Sequence, residues 1–89
     1  MKYSKEFKRL REHASSQCAV YEDDNTIEFY SYRTKVIEII YKAGKRLVKC
    51  TGLYSATTRR QIGWFLREYA PDLNYYDIKA IAGEGFVTL

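Results

Sequence analysis

The stretch at residues 54–70 constrains the fold most, because it combines a helical repeat of apolar side chains with a clear stop signal. Apolar residues recur in it at the spacing i, i+3, i+4, i+7, namely at Ile62, Phe65, Leu66 and Tyr69. This spacing predicts a helix that packs one face on a core. Because the residue before a proline is disfavoured in the α conformation, the helix should end at Ala70, before Pro71.

The start of this helix is open over a few residues. Thr58 and Gln61 have the spacing of a capping box, in which each side chain binds a backbone N–H of the first turn. Ser55 and Thr57 are also suitable N-cap residues, since a short side-chain oxygen can accept a hydrogen bond from the backbone. The sequence therefore leaves three candidate N-caps.

The outer face of the predicted helix combines a tryptophan with two arginines. Trp64 lies one helical turn from both Arg60 and Arg67. Large aromatic side chains are mostly buried in proteins, which favours the interpretation that another segment covers Trp64. The alternative is that these residues, together with Arg59, bind a partner, because tryptophan and arginine are enriched at interface hot spots and aromatic rings stack on bases.

The segment before this helix has the alternation of a β-meander. A short β-prone segment is expected at 18–22, and strands are expected at 26–32, 34–41 and 46–51. The run Lys42-Ala43-Gly44-Lys45 should form a hairpin turn, because glycine accommodates the positive φ of tight turns. One face of the sheet should be covered by helices. The other face should be polar and rich in tyrosine, and would carry Glu28, Tyr30, Tyr32, Glu38 and Lys49.

Both ends of the chain should add further elements. Residues 3–15 are predicted to form a helix, with an apolar stripe at Tyr3, Phe7, Leu10 and Ala14. Residues 74–82 are compatible with a helix or a strand, and the helix is preferred because Asn74 suits an N-cap and Gly83 suits the position after a helix. Residues 86–89 should either add a strand at the sheet edge or contact another copy of the chain.

These elements predict a single small α+β domain over residues 1–89. We expect an antiparallel sheet of about three strands packed against two to three helices, in the order α-β-β-β-α followed by a short C-terminal element. A chain of 89 residues has little room for a deep catalytic cleft.

The composition is modestly basic, with a net charge of +4. This charge permits an anionic partner and argues against a mimic of DNA, which needs an acidic surface. Cys18 and Cys50 lie far apart without metal-ligand spacing, and His13 is the only histidine, so we expect reduced, buried thiols and no zinc site. No apolar run is long enough to cross a membrane and no signal peptide is recognisable, so we expect a cytoplasmic protein.

No motif of a known catalytic chemistry is present in the sequence. Gly83 and Gly85 are followed by Phe86 and not by a helix start, so they do not form a phosphate-binding loop. Asp23 and Asp24 are adjacent carboxylates in a predicted turn, where solvent should surround them. There is no HExxH motif and no nucleophile elbow. We therefore expect no enzymatic activity, no catalytic residues, no cofactor and no bound metal.

Two motifs resemble a family of short, uncharacterised phage and prophage proteins. The first occupies residues 31–36 and has the form S-Y-x-T-x-V/I, and the second occupies residues 54–60 and has the form aromatic-S-x-T-T-x-R/K. The resemblance covers residues 31–70. Many members of that family carry a histidine where this chain has Gln61, so histidine-based chemistry is not expected here.

The resemblance implies a small phage-encoded accessory protein that acts in the cytoplasm of the host cell. Such proteins often bind and inhibit a host factor, including CRISPR and other defence machinery. A host protein or ribonucleoprotein is therefore the expected partner. The family has no established activity, and no site residues are carried over from it.

Two alternatives remain open. The order α-β-β-β-α is that of double-stranded RNA-binding domains, whose second helix presents basic residues to phosphates, so a nucleic acid is the second candidate partner. Assembly into a small homo-oligomer through residues 86–89 is the third candidate role, and otherwise a monomer is expected. The residues expected to bind a partner are Arg59, Arg60, Trp64, Arg67, Tyr30 and Tyr32.

Overall fold

A computed structural model of the chain describes residues 6–8 and 18–89. The strands are β1 Glu6–Lys8, β2 Cys18–Glu22, β3 Thr26–Ser31, β4 Thr34–Lys42, β5 Lys45–Cys50 and β6 Val87–Thr88. The helices are α1 Ala56–Tyr69 and α2 Tyr75–Ile81, and both lie between β5 and β6 in the chain. All six strands form one antiparallel sheet in the order β1-β2-β3-β4-β5-β6, so each strand pairs with its predecessor.

The α+β class is confirmed, but the predicted element order and the strand number are wrong. Residues 6–8, inside the predicted N-terminal helix, form β1 and pair with β2 in the register Phe7↔Tyr21. Pairing with the free edge of β2 is a tertiary interaction, and such interactions override a local helical pattern. The remainder of the predicted helix, including His13, lies outside the described residues. Because the first described element is the strand β1 and not a helix, the order α-β-β-β-α is not observed, and the topological analogy to double-stranded RNA-binding domains is lost.

The core lies between one face of the sheet and the two helices. Phe29 stands opposite Val20 on one neighbouring strand and Ile37 on the other, and all three side chains are fully buried. The ring of Phe29 stacks on that of Phe65 at 4.8 Å, and Phe65 stacks on Tyr69 at 5.2 Å. The predicted core stripe of α1 is therefore confirmed, because alternation on the strands and the helical repeat on α1 meet at these rings.

A β-bulge interrupts the alternation of β4. Phe29 pairs with Ile37 but Tyr30 pairs with Lys35, which leaves Val36 as the extra residue on β4. Val36 and Ile37 are consecutive and both are fully buried. A bulge produces this pattern because two residues on one strand oppose a single residue on the other. Lys35 then joins Tyr30 on the second face of the sheet.

The strands on either side of β4 are joined to it by two-residue loops. Lys42 pairs with Lys45, which leaves Ala43 and Gly44 in the turn with φ values of 53° and 76°. Positive φ at both loop positions is the pattern of a type I′ turn, and the predicted hairpin is confirmed. At the other end of β4, Ser31 pairs with Thr34, and the loop residues are Tyr32 and Arg33.

The chain after α1 resolves the two open predictions. Residues 75–81 form a helix, because Asn74 and Asp77 make a complete capping box: Asn74 Oδ1 accepts from the Asp77 N–H at 3.1 Å, and Asp77 Oδ2 accepts from the Asn74 N–H at 2.9 Å. The last residues add β6 to the sheet edge, and the Leu89 carbonyl accepts from Arg46 Nε at 3.0 Å. Val87 and Leu89 pack against the core of the chain itself.

Candidate partner-binding surface

A buried polar cluster joins the start of α1 to the end of β3. Ser31 Oγ lies 3.2 Å from Thr58 Oγ1 and donates to Gln61 Oε1 at 2.5 Å, and all three side chains are buried. The proposed capping box of Thr58 and Gln61 is not formed, because both side chains take part in this cluster. The N-cap is Ser55, whose Oγ accepts from the Thr58 N–H at 3.2 Å. The two motifs of residues 31–36 and 54–60 thus meet in one contact.

Two exposed tyrosines flank this cluster. Tyr32 follows Ser31 and is 59% exposed, while Tyr54 precedes Ser55 and is 60% exposed. Ser31 and Ser55 both approach Thr58 Oγ1, at 3.2 and 3.3 Å, so the two tyrosines adjoin one junction in sequence. Their φ values are 57° and 55°. A bulky residue in this left-handed region is rare and strained, and such strain is concentrated at functional sites.

The ring of Tyr54 is fixed although it is exposed. Thr51 Oγ1 donates to the Lys35 carbonyl at 2.8 Å, so the Tyr54 hydroxyl, 2.8 Å from Thr51 Oγ1, must be the donor in that contact. The same ring lies against Gly52, where a Cβ would come within 3.2 Å of Tyr54 Cζ. Glycine at position 52 therefore leaves the space that this ring occupies.

Three exposed arginines lie close in sequence to the residues of the buried polar cluster. Arg33 follows Tyr32 in the β3–β4 loop, and Arg59 and Arg60 lie in the second turn of α1. No aspartate or glutamate occurs in residues 29–37 or 51–67. The ion pairs within residues 18–89 join Lys35 to Glu28 and Glu38, and Arg46 to Asp72, so none involves these arginines. We call this region the tyrosine–arginine surface; it comprises Tyr32, Arg33, Tyr54, Arg59 and Arg60.

The other predicted contact residues on α1 lie further along the helix. Trp64 is half-buried and packs against the core cluster. Arg67 is exposed in the last turn of α1. Arg60 and Arg67 thus remain on the helix surface, whereas Trp64 takes part in the packing of α1 on the rest of the chain.

Tyr30 lies on the second face of the sheet, away from the helices. Its neighbours Phe29 and Ser31 point toward α1, and strand alternation places Tyr30 on the opposite side. The ring meets that of Tyr21 edge-on at 5.4 Å, and the hydroxyl donates to Glu28 Oε1 at 3.4 Å. The sheet therefore separates Tyr30 from the arginines of α1, and the structure does not bring it to the tyrosine–arginine surface.

The second face of the sheet is held together by charge. Lys35 Nζ lies 3.4 Å from Glu28 Oε2 and 3.2 Å from Glu38 Oε1, between two carboxylates that stand opposite each other on β3 and β4. Partial burial lowers the pKa of Lys35, but the hydrogen bond to Glu38 and the charge of Glu28 outweigh it and raise the pKa above its usual value. The prediction of a polar, tyrosine-bearing face is confirmed, except that Tyr32 lies in the loop.

The described residues offer no constellation for metal chemistry. Among residues 6–8 and 18–89, no three His, Cys, Asp or Glu side chains are grouped as metal ligands. Cys18 and Cys50 are buried on strands separated by two others and are not joined by a disulfide, and burial raises the pKa of Cys50. Neither described helix has the length and apolarity needed to span a membrane.

Comparison with known protein families identifies the family of this chain. Residues 3–79 match a family of unknown function, DUF8033. The chain belongs to this family. No curated protein and no solved structure matches it.

The DUF8033 match includes every residue of the tyrosine–arginine surface and both motifs that meet at Thr58. Sequence reasoning identified Tyr32, Arg59 and Arg60 but missed Arg33 and Tyr54. The available signal for Tyr54 was the glycine two residues before it, which marks a close approach of some group to the backbone. Nothing in the sequence alone shows that this group is the tyrosine ring.

Proposed function

We propose that this DUF8033 protein is a non-catalytic binding module that contacts a host macromolecule through the tyrosine–arginine surface. The observation that carries the proposal is the combination of two exposed tyrosines at positive φ with three arginines that have no carboxylate partner within residues 18–89. Tyrosine and arginine are the residue types most enriched, with tryptophan, at the energetic centres of interfaces.

The backbone supports this proposal independently of the side chains. A turn does not need a tyrosine at positive φ, since glycine or asparagine adopts that conformation at lower cost. Tyr32 and Tyr54 nevertheless occupy such positions, and both present most of a ring to solvent. A function for the two rings accounts for residues that stability alone does not favour.

The resemblance to phage and prophage proteins supports a partner from a host cell. On this proposal the protein acts in the host cytoplasm as an accessory factor, and inhibition of a defence system such as CRISPR is the role that the resemblance suggests. The partner is then a host protein or a ribonucleoprotein. A nucleic acid is the second candidate, favoured by the unneutralised positive charge of the surface.

The test is affinity capture from host lysate with and without nuclease treatment, using a tagged protein and two double variants. Tyr32→Ala/Arg33→Ala removes one tip of the surface, whereas Tyr76→Ala/Lys79→Ala removes an equally exposed aromatic–basic pair from α2. We expect the first variant to lose the captured partner and the second to retain it. Equal capture by both variants would exclude this surface, and the nuclease arm distinguishes a protein from a nucleic-acid partner.

A further inference from the structure

Tyr54 combines exposure with contacts that position its ring, and this combination is unusual for a surface side chain. The residue is 60% exposed, yet its hydroxyl donates to Thr51 Oγ1 and its ring lies against Gly52. A side chain that is already fixed loses little rotamer freedom when a ligand packs on it. The fixed ring is therefore a prepared flat surface.

A flat aromatic surface of this kind suits an unpaired base. Every base has a π-face, so stacking on an aromatic side chain does not depend on sequence. In a duplex both faces of a base are already stacked on neighbouring base pairs, and the base is not available to an external ring. An exposed aromatic side chain on the protein surface therefore favours single strands over duplexes.

The surroundings of the ring are complementary to a sugar–phosphate backbone. Arg33, Arg59 and Arg60 are exposed and have no carboxylate partner within residues 18–89. Guanidinium groups bind phosphate oxygens through two parallel hydrogen bonds. Tyr32 and Tyr54 each adjoin a serine that contacts Thr58, and each of the three arginines is within two residues of Ser31 or Thr58 in sequence, so the rings and the cations belong to one region of the chain.

We propose that the occupant of the tyrosine–arginine surface is single-stranded nucleic acid, with one base stacked on Tyr54 and the adjacent phosphates bound by the three arginines. This inference rests on the proposed function and specifies the class of its partner. It assigns roles to Thr51 and Gly52 as well, since these residues set the position of the ring.

The experiment measures fluorescence anisotropy of labelled oligonucleotides of about 12 nucleotides, a length within the range of single-strand binding sites. Single-stranded DNA, single-stranded RNA and a duplex of the same length are compared at low salt. The variants are Tyr54→Leu, which removes the ring, Tyr54→Phe, which keeps the ring but removes its hydroxyl bond, and Gly52→Ala, whose Cβ would lie 3.2 Å from Tyr54 Cζ and requires the ring to shift slightly. Tyr76→Leu is the matched control, because Tyr76 is 72% exposed on α2.

We expect Tyr54→Leu to weaken single-strand binding about tenfold or more, the usual effect of losing one base–aromatic stack. Gly52→Ala should weaken binding although the ring is present, Tyr54→Phe should have a smaller effect, and Tyr76→Leu should have none. Replacing Arg59 and Arg60 by Gln should flatten the salt dependence, by about 0.7 in the log–log slope for each lost phosphate contact.

Two outcomes would overturn the inference. One is the absence of oligonucleotide binding at low salt, and the other is binding that is equally tight for the duplex or unchanged in Tyr54→Leu. If a nuclease-resistant protein partner is captured and is lost only with Tyr32→Ala/Arg33→Ala, the proposed function stands while the inference fails. Thermal unfolding identifies any variant that fails to fold, and the Gly52 and arginine variants then still decide the result.

Discussion

The two ends of β4 are closed by loops of the same length with different contents. At one end the loop residues are Ala43 and Gly44, and at the other they are Tyr32 and Arg33. The first loop, which we call the plain turn, has a glycine at φ 76° and no large side chain. The second loop places a tyrosine at φ 57° and leaves its ring in solvent. The fold alone explains the residues of the first loop, whereas the residues of the second loop need another explanation.

The loop of Tyr32 and Arg33 is also the loop that is attached to the helix by buried contacts. The buried Ser31–Thr58–Gln61 cluster ties it to α1, whereas Lys42, Ala43, Gly44 and Lys45 are all exposed. A rigid support under an exposed ring positions that ring for a partner. Four predictions test this difference between the two loops.

The largest effect is expected for Gln61→Ala, which removes the acceptor of the Ser31 hydroxyl and leaves space in the core. We expect a loss of about 2–4 kcal/mol in the free energy of unfolding, from the lost hydrogen bond and the cavity together. Urea denaturation measures it. The control is Lys42→Ala, next to the plain turn, which should change stability by less than about 0.5 kcal/mol. Equal effects of the two variants would remove the distinction between the ends.

A second prediction concerns Gly44 in the plain turn. Gly44→Ala forces a Cβ into the left-handed region and should cost about 1–2 kcal/mol. Gly85→Ala is the matched control, because Gly85 has no atoms within 4 Å of a Cβ and its φ is not positive. Thermal unfolding of the two variants compares them directly. A Gly44→Ala protein as stable as Gly85→Ala would show that this turn is not constrained by its backbone.

The third prediction compares stability and partner binding for the two loop residues Tyr32 and Ala43. Glycine relieves the positive φ at either loop, so Tyr32→Gly and Ala43→Gly should each leave stability unchanged or raise it by about 0.5 kcal/mol, the relief being offset by the freedom of glycine in the unfolded chain. Only Tyr32→Gly should lose partner capture. Parallel thermal unfolding and affinity capture test this. If both variants bind equally well, the tyrosine is not retained for binding.

The smallest effect is expected near the plain turn, at the pair of Arg46 and Asp72. Arg46 donates to both carboxylate oxygens of Asp72, at 3.0 and 2.6 Å, and these hydrogen bonds lower the pKa of Asp72. Because the folded pKa lies below the unfolded one, the stabilisation is complete above about pH 4, the ordinary pKa of aspartate, and is lost as the pH falls through the lower folded value. Asp72→Asn should therefore be less stable than the parent at neutral pH.

Denaturation midpoints at several pH values measure that difference, which should shrink as the solution is acidified. Added salt should reduce it as well, because Asp72 is exposed. A difference that stays constant from neutral to acidic pH would show that the pair contributes through its shape and not through its charge.

Local patterns in the sequence were sufficient for most of the fold from β2 onward. Alternation located β2 to β5, the apolar stripe located α1, and the Asn74 cap decided in favour of α2. The prediction failed at residues 6–8, where the partner that makes a strand is β2 and not a neighbour in sequence. The bulge at Val36 was also not predictable, since it depends on the register of the facing strand.

The candidate surface was predictable in part. Tyr32, Arg59 and Arg60 were named because exposed aromatics and arginines are recognisable by type. Tyr54 was missed because its position depends on a positive φ and on contacts with Thr51 and Gly52, which exist only once the loop is folded. Tyr30 was placed correctly on the polar second face of the sheet, and its role in binding stays a prediction.

The meander has a consequence for how the chain folds. β3, β4 and β5 each pair with the strand immediately before them across a turn of two or three residues. Little loop-closure entropy therefore opposes these contacts. β6 is different, since both helices intervene before it reaches β5. We expect the strand hairpins to form early and β6 to join last, and a slow step in refolding should therefore be sensitive to substitution of Val87 but not of Ala43.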